Sequence, residues 1–149
     1  MKIIFDTCII LDYLLDREEY SSNAEKLIIK AAQNRLQGLI TVKSLMDVHY
    51  ILKHTIHNEE KIREIISTLL DSFALVDSTG ENAVRALSSD VNDYEDALMI
   101  ETAVSYEADG IVTRNLRDYR KSSIRIYNPE ELLAVLATEN MMINDGDDI

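Results

Sequence analysis

The chain has one cysteine, one proline, four glycines and no tryptophan in 149 residues. A lone cysteine, Cys8, excludes an internal disulfide and a cysteine-based zinc cluster. No apolar run approaches the roughly 18 residues that a membrane span needs. The first apolar stretch is broken by Asp6, Asp12 and Asp16. It therefore does not read as a signal peptide, and a cytoplasmic protein without a membrane anchor is expected. Basic residues are also scarce: 15 Lys and Arg face 27 Asp and Glu, for a net charge of −12. This balance argues against holding nucleic acid through overall charge. Either the protein avoids polyanions, or it combines a divalent metal with a concentrated basic patch.

What is present reads as alternating short strands and helices. Lys2 to Phe5 is a β-branched apolar run too short for a helix, and reads as a buried strand. Helical spacing follows from Cys8 to Leu15. Ser22-x-x-Glu25 has the form of a capping box and opens a second helix that ends before Gly38. Leu39 to Val42 is a second strand. Helices are expected from Ser44 to Ile56 and from Glu59 to Phe73, the pair resembling an inserted arm or a partner surface. Ala74 to Val76 is a third strand, and Ser78-Thr79-Gly80 turns into a short helix. Asp93 begins another helix, Ile111 to Thr113 is a fourth strand, and Ile124 to Tyr127 a fifth. The single proline, Pro129, stands between Asn128 and two acids, a strong helix start. This order predicts an α/β fold with a parallel sheet and crossover helices. With no repeat and no linker, the length fits one domain, expected over residues 1–138. Residues 139–149 are acidic, lack periodicity and are expected to be a flexible tail.

Four acids share one context, just after a strand or in the first turn of a helix. Asp6 follows the first strand, where open α/β sheets place ligands. Asp47, Asp96 and Asp118 each lie three residues after a capping type, namely Ser44, Asp93 and Asn115. Capping and the helix dipole explain any one of them. Capping boxes prefer Glu or Gln at that position, however, and three aspartates there are less expected from capping alone. If the helices start along one sheet edge, the four carboxylates converge. Two unit charges 4 Å apart repel by roughly 4 kcal/mol at an effective dielectric near 20, so such a cluster calls for compensation. Oxygen donors of this kind suit Mg²⁺ or Mn²⁺, ions that serve phosphoryl chemistry. Arg114, Arg117, Arg120, Lys121 and Arg125 crowd the segment after the fourth strand. They read either as a solvated face paired with acids or as a phosphate contact beside the metal.

Three segments together resemble the PIN domain family, the nuclease fold of VapC-like toxins. They are Ile4-Phe5-Asp6-Thr7-Cys8-Ile9-Ile10-Leu11-Asp12, Asp93-Tyr94-Glu95-Asp96-Ala97-Leu98 and Ile111-Val112-Thr113-Arg114-Asn115-Leu116-Arg117-Asp118-Tyr119. Their order and spacing cover residues 1 to about 128. Cys8 departs from the Asn or Ser usual at its position, and Asp47 from the usual Glu. The resemblance implies a three-layer α/β/α fold on a short, mostly parallel sheet of four or five strands. It implies that Asp6, Asp96 and Asp118 hold a Mg²⁺ or Mn²⁺ ion and that Asp47 completes the catalytic acidic cluster. Asp93 would stand behind the ligands or help a second ion, and Thr113 and Asn115 would shape the loop that carries Asp118. Arg114 and Arg117 would contact RNA phosphates. The implied reaction is hydrolysis of RNA, with metal-activated water attacking in line and a 3′-hydroxyl leaving. A cognate antitoxin and a homodimer are the implied partners.

Two other readings remain open. A haloacid-dehalogenase-type phosphatase needs Asp-x-Asp after the first strand, and Cys8 occupies the second of those positions. A PIN-like module could also serve RNA or protein binding without catalysis. Cys8 itself reads as a small packing residue, with no histidine near it in sequence to activate it. His49, His54 and His57 read as structural or surface residues. Tyr13, Tyr94 and Tyr119 read as packed rings with their hydroxyls at the surface.

Overall fold

A computed structural model of the chain describes residues 1–144. Alternation along the first strand decides how the molecule is layered. In β1 (Lys2–Phe5), Ile3 and Phe5 face one core while Ile4 faces the other, and all three are fully buried. A strand apolar on both faces belongs in the middle of a covered sheet. β1 is the central strand of five, in the order β3-β2-β1-β4-β5, with every pairing parallel. The others are β2 (Gln37–Thr41), β3 (Phe73–Val76), β4 (Gly110–Val112) and β5 (Arg125–Tyr127).

The helices cover both faces. α1 (Thr7–Leu14), α2 (Ser21–Ala32), α3 (Val42–Ile56), α4 (Glu59–Leu70) and α7 (Pro129–Asn144) supply residues to the core under Ile3 and Phe5. Phe5 and Phe73 meet there edge to face, ring centroids 4.8 Å apart. α5 (Gly80–Ala86) and α6 (Tyr94–Ser105) cover the opposite face with Ile4, Leu39 and Ile111. The α/β/α architecture and the parallel sheet are those expected from the sequence. Among the described residues no helix is long and apolar enough to cross a membrane.

Several local expectations are corrected. α2 begins at Ser21 behind Tyr20, with no side-chain cap, so the Ser22–Glu25 box does not form. Thr41, not Ser44, caps α3: its hydroxyl accepts from the Ser44 N–H at 3.0 Å, and Ser44 is buried inside the first turn. α3 and α4 are no inserted arm. Val48, Leu52 and Ile62 are fully buried in the main core, and the two helices make the crossover from β2 to β3. α7 continues past Thr138 to Asn144, so the first part of the expected tail is helical. The remainder, residues 145–149, lies outside the described residues. Scarce glycine shows at the turns: Asp16, Asn34, His57 and Glu107 carry the positive-φ positions.

Candidate active site

The strand order reverses between β1 and β4, because the chain leaves β1 toward β2 and β3 and later returns to its other side. Such a switch point opens a crevice beyond the strand ends. Asp6 and Thr113 are the residues that leave β1 and β4 there. The Asp6 N–H donates to the Val112 carbonyl at 3.0 Å, carrying the ladder one residue beyond the strands.

Asp6 is also the N-cap of α1. Its Oδ1 accepts from the Thr7 N–H at 2.7 Å, and its Oδ2 accepts from the Thr113 hydroxyl at 2.7 Å and from the Cys8 thiol at 3.7 Å. Thr113 Oγ1 in turn accepts from the Asn115 N–H at 3.0 Å. Every partner of the carboxylate is neutral. Burial pushes the Asp6 carboxyl above its ordinary range, the hydrogen bonds from Thr113, Thr7 and Cys8 draw it back, and the charge of Glu95 adds to the rise. Burial, then the charge of Asp6, pushes Cys8 up to about 11. It is a protonated thiol at neutral pH, a weak donor to Asp6.

Asp93 caps α6 through the Asp96 N–H at 3.0 Å, which places Asp96 in the first helical turn beside the crevice. Burial pushes Asp96 up to about 6, against the lowering effect of the Tyr119 hydroxyl, and the charges of Asp93, Asp6 and Asp118 push further. The Asp96 carboxyl therefore lies within the fields of the other three. Asp118 is exposed on the 3-10 turn Leu116–Tyr119, its N–H donating to the Asn115 carbonyl at 3.1 Å. Tyr119 is buried, unlike the surface hydroxyl expected of it. Its hydroxyl donates to Met99 Sδ at 3.4 Å and is near enough to the Asp96 carboxyl to lower it. Burial, with the charges of Asp6 and Asp96, raises its phenol, so it remains a donor.

Asp47 stands one turn into α3 and is not held in the same way. Lys43 pairs with both Asp47 and Glu95. Burial would lower this ammonium, but its two carboxylate partners raise it above its ordinary value. Asp47 thus joins the acidic group only through a lysine, and its place after Ser44 reflects an i, i+4 pair with Lys43, not a cap. Glu95 and Lys43 were not singled out from the sequence, although Glu95 adjoins Asp96 and the Lys43–Asp47 spacing was visible.

Arg114 also departs from expectation. Its Nε and Nη2 donate to Asp12 at 2.6 and 3.1 Å, and its guanidinium lies 3.9 Å from the Tyr20 ring centroid. With its fork and its face both taken, Arg114 is not the free phosphate contact expected of it. Arg117 fares differently. With Arg120 and Lys121 it lines a surface depression beside Asp118, also bordered by Asp90, Val91 and Asn92.

The donor chemistry fits a hard divalent ion: carboxylate oxygens, mutually repelling, with neutral partners only on Asp6. Among the described residues no three His, Cys, Asp or Glu side chains are gathered around one point as a ready cage. Mg²⁺ does not require one. It commonly takes one or two carboxylates and completes its shell with water and substrate phosphate. Asp6 and Asp96 could supply those one or two carboxylates.

The chain matches a PIN domain sequence profile over residues 2–117. No curated protein matches it. Among solved structures it is similar to VapBC2 from Rickettsia felis bound to a promoter DNA fragment, with a TM-score of 0.67 at 15% identity, covering 86% of this chain and 98% of that one. It is similar to a toxin–antitoxin complex from Klebsiella pneumoniae, with a TM-score of 0.62 at 21% identity, covering 85% and 97%. VapBC-1 from nontypeable Haemophilus influenzae gives 0.63 at 12% identity, covering 87% and 99%. At these identities the structures speak for the fold. The profile spans most of the chain, including the ends of β1 and β4 that build the crevice, and this protein belongs to the PIN domain family.

Proposed function

We propose that the protein is a Mg²⁺- or Mn²⁺-dependent endoribonuclease and the toxin of a toxin–antitoxin pair. One observation carries the catalytic part: Asp6, a buried carboxylate with only neutral partners, stands where the chain leaves β1 beside β4, and its charge acts on Asp96. A bound divalent ion supplies a water of lowered pKa and neutralises charge on phosphate oxygens. Asp6 and Asp96 would hold it. The Thr7 N–H and the Thr113 hydroxyl fix the orientation of Asp6 and favour its charged form. The Tyr119 hydroxyl favours the charged form of Asp96. Asp118, with Asp93 behind Asp96, adds negative charge that draws a cation inward. Lys43 holds Asp47 and Glu95 at the edge of the group. Arg117, Arg120 and Lys121 offer the RNA backbone a local cationic surface on an acidic molecule. The toxin assignment draws on the structural relatives, which are VapBC and other toxin–antitoxin complexes. A small antitoxin protein is the partner that this implies.

Cleavage of single-stranded RNA with Mn²⁺ tests the reading. Asp6→Asn and Asp96→Asn should each lose about a hundredfold or more in rate, since a lost ligand removes several kcal/mol of charge stabilisation. They should also lose the rise in melting temperature that millimolar Mn²⁺ gives the parent protein. Equal cleavage by parent and variants would identify a contaminant and overturn the proposal.

A further inference from the structure

Asp12 is fully buried, in the second turn of α1, and both of its oxygens are engaged by cations. Oδ2 accepts from Arg114 Nε at 2.6 Å, and Oδ1 accepts from Arg114 Nη2 and Arg17 Nη1, each at 3.1 Å. A buried ion pair of this kind is weak evidence of stabilisation, because desolvation offsets most of the attraction. Its effect lies in geometry. Arg114 follows Thr113 directly, and the Thr113 hydroxyl donates to Asp6 at the other end of the same helix. The exit of β4 is therefore fastened to α1 twice, by Thr113 at the N-cap and by Arg114 six residues further on. A bidentate guanidinium–carboxylate contact fixes angle as well as distance. Tyr20, stacked on the guanidinium, removes its remaining freedom. One hydroxyl contact alone would leave the segment from Thr113 to Asp118 free to swing about it.

We propose that Asp12 and Arg114 form a positioning pair that fixes the segment after β4 on α1, and so holds Thr113 against Asp6 and Asp118 beside Asp96. The pair acts through the segment that it holds. Its catalytic consequence rests on the nuclease reading, but its structural consequence does not. Cys8 supplies a native reporter: as the only cysteine, its Sγ lies 3.7 Å from Asp6 Oδ2 and 3.8 Å from Thr113 Oγ1. If the junction loosens, that thiol becomes more open to alkylation.

The test uses two variants. Arg114→Lys keeps the charge and loses the fork. Asp12→Leu combined with Arg114→Met replaces the pair by apolar groups, a change that commonly leaves stability intact. In the folded proteins, iodoacetamide should modify Cys8 about tenfold faster than in the parent. With Mn²⁺ and RNA, kcat should fall about tenfold with KM little changed. Thr79→Ala, which removes the cap of α5, should lower the melting temperature without altering either readout. Parent-like alkylation and kcat in Arg114→Lys would overturn the proposal, as would their restoration in the apolar double variant. If the double variant fails to fold, Arg114→Lys decides. If the parent cleaves no RNA, the nuclease reading fails while the alkylation rates still judge the pair.

Discussion

Two carboxylates of α1, Asp6 and Asp12, are both buried and are satisfied in opposite ways. Asp12 is surrounded by guanidinium groups, so its charge is cancelled within the protein. Asp6 receives only a backbone N–H, a hydroxyl and a thiol, so its charge remains available to an external cation. Asp96 makes this measurable. Its carboxyl is pushed to about 6 in the fold from an ordinary value of 3.8. The folded state thus binds a proton more tightly than the unfolded chain, and its stability falls as pH rises through that interval. In EDTA, Asp96→Asn should melt above the parent at about pH 7.5, and the gap should narrow toward pH 5. A gap that does not vary with pH would show that Asp96 bears no such penalty. Asp6 was legible as the residue that ends a strand, and Asp96 as an acid in the first turn of a helix. The partnership of Asp12 with Arg114 was not, since nothing local links residues 102 apart. The visible hint was a charged residue inside the apolar run of α1.

Among the elements, β4 has little latitude. A Cβ on Gly110 would stand 2.7 Å from the Arg125 carbonyl oxygen and 2.7 Å from the Tyr127 ring. The carbonyl belongs to the neighbouring strand and cannot move aside without disturbing the ladder. Gly110→Ala should cost about 1–3 kcal/mol, as overpacking does. Because β4 leads into Thr113, the variant should also lose RNA cleavage at temperatures where it remains folded. Thermal melts and cleavage assays check both, and a parent-like variant would show that β4 can shift without consequence. The existence and order of the elements were readable from apolar periodicity, and every expected strand is present. Cap identities were less so. Ser22–Glu25 and Ser44–Asp47 fit a cap pattern, yet Tyr20 and Thr41 precede those helices, because tertiary packing set where each first turn closed. Asn128 and Glu131, by contrast, do exchange backbone and side-chain hydrogen bonds at the start of α7.

For the whole molecule, a net charge of −12 and a local basic depression make opposing demands on a polyanion. Attraction is limited to a few phosphates while long-range repulsion acts everywhere else. With Asp6→Asn to prevent cleavage, log K for single-stranded RNA should fall with log[salt] at a slope of about −2, from three contacts at ~0.7 each. Arg120→Gln should flatten that slope by about 0.7. An unchanged slope would place the RNA elsewhere.

The sheet order also sets when the crevice can exist. As the chain is synthesised, β1, β2 and β3 emerge early and pair on one side of β1. The other side of β1 stays open until Gly110–Val112 arrives, and only then does Asp6 acquire Thr113, a partner 107 residues downstream. A nascent chain lacking that segment carries the first carboxylate without the crevice around it. The ribosome thus extrudes most of the polypeptide before that crevice can form.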